Sequence, residues 1–218
     1  MRHIQRLKGI DFLRIYDISQ ELYGCEVWPG DPAPEKEILM SVANGDICNL
    51  SQFSACVHNG THIDAPYHFF DSGKTVDELP LDVLIGKCIV AECSGEMNAE
   101  EIIKIFDVTD EEAAKRLLIK GDAVVTAGAA KALAESRCLL IGTESQTVGP
   151  EEGPEEVHRL LLGSGKILLE GVRLAAIPEG IYILNAAPLN LSGADGSPCR
   201  AVLIEPEQNV SPAGRKGE

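Results

Sequence analysis

"HNGTHIDAPYH", residues His58–His68, holds three of the chain's five histidines and an aspartate in eleven consecutive positions. His58 and His62 stand at i and i+4, the spacing at which two imidazoles share a helix face. Gly60 between them and Pro66 beyond disfavour a helix, because glycine costs about 1 kcal/mol in a helix interior and proline about 3. On extended chain, positions 58, 62, 64 and 68 have one parity and share a face, with Gly60 permitting a close turn or a bulge. Two imidazoles and a carboxylate (His58, His62 and Asp64) are ligand types that suit a first-row divalent metal. Pro66 stiffens the exit. His68, beyond a second turn, is placed for proton transfer rather than ligation. A scarce residue at this density reads as a metal site, not as separate surface or core histidines.

The rest of the chain is ordinary in bulk and unusual in charge. Its 218 residues, 44% hydrophobic and 24% charged, suit one soluble domain, residues 1–206, followed by a loose polar tail over 207–218. A net charge of −15 repels phosphate backbones and anionic lipid, so neither nucleic acid nor membrane is an expected partner. The acidity is spread through segments such as "DVTDEEAAK" and "EEGPEE", as on a solvated surface. The basic start "MRHIQRLKGIDFLRIYD" lacks a continuous apolar run, so no signal peptide is expected, and no window is long and apolar enough to span a bilayer. Seven cysteines form no CxxC pair and read as reduced thiols of a cytoplasmic protein.

"DFLRIYDIS", "GKCIVAEC", "CLLIGTE", "KILLEGV" and "AVLIEP" have the length and β-branched content of strands. "AEEIIKIF", "DEEAAKRLLI" and "AGAAKALAES" are rich in helix formers. "GPEEVHRLLLGSG" reads as a short helix with Pro154 in its first turn and Gly163 near its end. Strands and helices alternate in the second half, which predicts a single α/β domain with a mixed sheet. That short helix carries His158, and the strand after it carries Glu170 among apolar residues. A buried carboxylate requires a cation or a donor, and a helix ending at Gly163 can bring 158 and 170 together.

These residues carry a resemblance. "HNGTHIDAPYH" matches the H-x-G-T-H-x-D-x-P-x-H signature of the cyclase-like metal-dependent hydrolases, which include bacterial kynurenine formamidases and isatin hydrolases. "YDISQELYGCEVWPGDPAPE" is similar to the family's D-I-S…W-P-G-D stretch, and "HRLLLGSGKILLEGV" to its H-x-x-L-L…E-G segment. The resemblance implies a compact cyclase-like (swivelling β/β/α) fold with a small β-barrel-like core, assembled as a homodimer or larger. It implies one or two divalent ions, zinc or manganese. His58, His62 and Asp64 would hold the first, Asp64 would bridge to a second, and His158 and Glu170 would complete that shell. His68 would be the acid/base, and Trp28, the chain's single tryptophan, would stack on an aromatic substrate. The implied activity is hydrolysis of an amide C–N bond of a small aromatic molecule. One example is N-formylkynurenine, cleaved to kynurenine and formate; the alternative is isatin or another cyclic amide or ester. "GTESQTVGP" departs from a formamidase pattern G-T-D-x-x-S-x-D at Glu144, Thr147 and Gly149, a change that bears on substrate rather than on ligands.

Two other readings use the same residues. His62, Asp64 and His158 also fit the two-His-one-carboxylate triad of iron oxygenases, which leaves His58 and Glu170 without a role. A domain that binds a metal or an effector without turnover has no use for His68 beside the metal.

Overall fold

The computed structural model describes residues 14–205, so the tail expected over 207–218 lies outside them. Nine strands make one mixed sheet. Its first flank is antiparallel, in the spatial order β1 (Ile15–Asp17), β13 (Val202–Ile204), β11 (Gly180–Asn185) and β5 (Ile85–Glu92). The centre is parallel, passing from β5 to β7 (Arg116–Lys120), β9 (Leu140–Thr143) and β10 (Ile167–Glu170). Antiparallel pairing resumes at β4 (His62–Asp64) and β12 (Gly196–Pro198). Two small pairs stand apart: the hairpin β2 (Glu35–Met40) with β3 (Leu50–Ser54), and β6 (Glu96–Met97) with β8 (Val124–Val125).

The sheet curls into a half-barrel, and both of its faces are apolar. Ile63, Val90, Leu118, Leu140, Leu169, Leu184 and Leu203 fill the concave interior. Leu117, Ile119, Ile141 and Leu168 alternate with them and face the helices. Besides the single-turn α1 (Leu81–Leu84), those helices are α2 (Ala99–Asp107), α3 (Ala127–Glu135) and α4 (Glu155–Gly163). Local caps start three of them. Asn98 accepts from the Glu100 and Glu101 N–H groups and Glu101 answers back to Asn98. The Thr126 hydroxyl accepts from Ala129, and Pro154 precedes α4.

One expected helix is instead a central strand. Within "DEEAAKRLLI" only Ala113–Lys115 coils, as a 3-10 turn, and Arg116–Lys120 is β7. Parallel strands buried on both faces are continuous apolar runs, and over so short a stretch such a run carries no period that separates strand from helix. The buried Arg116 guanidinium fits this setting because the Asp82, Val83 and Lys87 carbonyls accept its N–H groups.

Candidate metal centre

The site grows from the strand alternation of β4. Ile63 enters the barrel core, so His62 and Asp64 emerge on the opposite, helix-side face. Antiparallel pairing sets Glu170 of β10 directly opposite His62. Packed above them, α4 supplies His158. His58 is not part of the strand: Gly60 takes a left-handed turn at φ 68° and returns the chain so that His58 faces Asp64. Beyond β4 the chain coils as a 3-10 turn over Pro66–His68. The single extended face expected for 58, 62, 64 and 68 therefore holds for 62 and 64 alone, because a left-handed glycine and a proline-started turn interrupt the extension on either side.

The loop is fastened from two directions. The Thr61 hydroxyl accepts from the Gln20 N–H at 2.8 Å and donates to the Gly171 carbonyl at 2.7 Å. Gln20 Nε2 donates to the same carbonyl at 2.8 Å. A Cβ on Gly171 would lie 2.5 Å from the Gly60 carbonyl oxygen, so the two loops meet only because that residue is glycine.

All five expected ligand residues converge. Asp64 Oδ1 is 2.8 Å from His58 Nδ1 and 3.3 Å from His62 Nε2, while its Oδ2 is 3.7 Å from His158 Nε2. Glu170 Oε2 lies 3.3 Å from His62 Nε2, and its Oε1 lies 3.2 Å from His158 Nε2. The far nitrogens are already engaged. His62 Nδ1 donates to the Gly60 carbonyl at 3.1 Å, His158 Nδ1 donates to the Pro154 carbonyl at 3.0 Å, and His58 Nε2 donates to Asp195 at 2.9 Å. In the neutral tautomers so fixed, each imidazole turns a lone pair towards a buried carboxylate, an arrangement that requires a cation between them.

The electrostatics agree. Burial works to lower the histidine pKa values, but the hydrogen bonds to Asp195 and Asp64 raise His58 to about 9. Bonds to Asp64 and Glu170 likewise raise His158 to about 10 and His62 well above its ordinary value. Burial pushes the Asp64 and Glu170 carboxyls up, yet the histidines hold both below the ordinary range. Without a metal the cluster keeps protons where the metal would sit. The donor set of three imidazoles and two carboxylates fits one or two divalent ions.

These groups form one wall of a cavity of about 330 Å³. His68 and Trp28 line it too, with Phe69, Gln146, Thr147 and Glu155. Phe69 stacks on His158 with ring centroids 5.1 Å apart, and the Arg159 guanidinium lies over the Phe69 ring, 5.4 Å from its centroid. Of the three loop positions that depart from the formamidase pattern, only Thr147 lines the cavity. The Glu144 carboxylate is turned away, accepting from the Gly121 and Leu174 N–H groups, and Gly149 packs on Val157. Sequence reading missed Phe69 and Asp195. Neither has a local signal: one is the first of two phenylalanines that follow His68, and the other is an aspartate in a glycine-rich loop.

Comparison with known proteins gives this geometry its relatives. A family model described as "Putative cyclase" matches residues 16–150. A kynurenine formamidase of Erythrobacter litoralis (strain HTCC2594) is 34% identical over 206 residues, covering 88% of this chain and 94% of that protein. A solved structure of a potential metal-dependent hydrolase with cyclase activity superposes with a TM-score of 0.74 at 28% identity, covering 90% of this chain and all of its own. Isatin hydrolase A from Labrenzia aggregata, bound to benzyl benzoate, shares the fold at a TM-score of 0.77 and 24% identity, over 88% of this chain and 94% of that one. The ligand-bearing half-barrel, the family match and the nearly full-length relatives agree: the chain is a hydrolase and belongs to the cyclase family.

Proposed function

We propose that this hydrolase cleaves the amide C–N bond of a small aromatic substrate, with N-formylkynurenine, giving kynurenine and formate, as the first candidate. The observation that carries the reading is the convergence, on one cavity, of five donor side chains, a further imidazole and the Trp28 and Phe69 rings. Relatives named kynurenine formamidase at 34–35% identity support the substrate.

In this reading His58, His62 and Asp64 hold the first divalent ion, zinc or manganese. His158 and Glu170 would hold a second, and Asp64 could serve both, since its Oδ1 faces His58 and His62 while its Oδ2 faces His158. A metal held in such a set would lower the pKa of a bound water towards about 7 and polarise the carbonyl under attack. Trp28 offers an aromatic ring to the substrate, and Phe69, stacked on His158, adds apolar wall to the cavity. His68 takes a proton from the attacking water at Nε2, since Nδ1 is engaged by Asp195, and delivers it to the leaving nitrogen as the C–N bond breaks. Burial lowers the His68 pKa, which keeps the ring neutral and able to accept that proton near neutral pH.

A second copy of the chain is the partner we assign. The β2–β3 hairpin exposes Ile38 and Phe53 on one face, at 68% and 52%. A two-stranded hairpin alone is marginally stable and gains from such a cover. Seven unpaired cysteines support a cytoplasmic setting, and among the described residues no helix is long and apolar enough to cross a membrane.

The test is formate release from N-formylkynurenine by protein loaded with Zn²⁺ or Mn²⁺, beside His68→Ala. Turnover that disappears in the variant, with metal content unchanged, is the expected result. Ring opening of isatin without formate release would move the substrate to cyclic amides. Neither reaction, with metal bound, would refute the amide-hydrolase reading.

A further inference from the structure

The three ligand imidazoles are not held alike. Backbone carbonyls fix His62 and His158, whereas His58 donates Nε2–H to a side-chain carboxylate, Asp195 Oδ2, at 2.9 Å. The same oxygen accepts Nδ1–H of His68 at 3.2 Å. The His58 and His68 rings lie beside each other, centroids 4.1 Å apart, and converge on that one oxygen.

Asp195 is 137 residues from His58 in sequence, and its backbone is locked to the ligand strand. Its carbonyl accepts from the Ala65 N–H at 2.9 Å, and the next residue, Gly196, pairs with Asp64 across β12 and β4. Gly196 shapes the seat as well. A Cβ there would stand 2.7 Å from His58 Cε1 and 2.9 Å from the Ile63 carbonyl oxygen, so any larger residue displaces the His58 ring.

We infer that Asp195 is a positioning residue that sets the tautomer and angle of both His58 and His68, with Gly196 as the gap that admits the His58 ring. Resting on the proposed roles of those histidines, this makes one carboxylate the link between metal binding and proton transfer. Asp195 fixes His58 with Nδ1 towards the metal and His68 with Nε2 open as proton acceptor. A carboxylate behind a ligating histidine typically governs about 10–100-fold in metal affinity or activity.

The experiment uses the full chain and its Asp195→Asn, Asp195→Glu and Gly196→Ala variants. Zn²⁺ affinity is measured by calorimetry, and imidazole ¹⁵N spectra of the Zn²⁺-loaded proteins report each ring's tautomer. Asp195→Asn should weaken Zn²⁺ binding about 10–100-fold and move His68 away from its Nδ1–H tautomer. On a hydrolysed substrate it should lower kcat more than it raises KM. Asp195→Glu should restore part of each. Gly196→Ala should weaken Zn²⁺ binding while His68 keeps its tautomer. Wild-type Zn²⁺ affinity and an unchanged His68 tautomer in Asp195→Asn would overturn the inference, even if its melting temperature fell. The affinity and tautomer measurements need no substrate, so a failed substrate assignment leaves them decisive.

Discussion

Ile63→Ala tests whether the barrel core holds the proposed metal ligands in place. Ile63 is fully buried and points into the concave core, with Leu169 and Ser197 as its cross-strand partners. The substitution removes about three carbons at ~0.8 kcal/mol each, or about 2.4 kcal/mol of transfer free energy. If roughly 40 Å³ fails to collapse, the void adds about 1 kcal/mol, for a total of about 3–4 kcal/mol. For a chain of 218 residues, at about 2–4 °C per kcal/mol, that is a fall in Tm of about 10 °C. Ile63→Val should cost about 1 kcal/mol. Calorimetry on metal-free and metal-saturated protein reads both effects. The donors remain, so metal at about 100 times its Kd should return about 2.7 kcal/mol to whichever variant still binds it. A metal-free Tm within 2 °C of wild type would refute the reasoning, because β4 would then be held by something other than the core beneath it.

Three other outcomes follow from the same geometry. Glu170→Gln keeps the shape but removes an anion that faces two imidazoles, so metal affinity should fall by more than the about 10–100-fold typical of a residue that only supports a ligand, measured by competition with a chromophoric chelator. In metal-free protein the raised pKa values of His58 and His158, about 9 and about 10, contribute stability that is fully present below about pH 6.5. That contribution is lost as pH rises through 9–10; metal-free Tm should therefore decline over this range while metal affinity increases, as scanning calorimetry and titrations at several pH values would record. Phe53→Glu should shift the assembly towards monomer in sedimentation velocity, and a wild-type chain that sediments as a monomer would remove the proposed second copy.

What the sequence determined by itself lies in short stretches where local chemistry decides. Gly60 and Pro66 disfavour a continuous α-helix through the histidine cluster, and alternation along "HID" puts His62 and Asp64 on one side. The helix start at Pro154 was legible for the same reason, since the signal is local. Tertiary structure decided what depends on burial and on distant partners. "RLLIK" became a strand because it is covered on both faces, which no periodicity over five residues reveals. His158 and Glu170 face each other because α4 packs over the β10–β4 register, a contact that the spacing allowed without requiring. Asp195 was invisible because its function is a hydrogen bond across 137 residues, and nothing in "GADG" differs from an ordinary turn until the barrel closes.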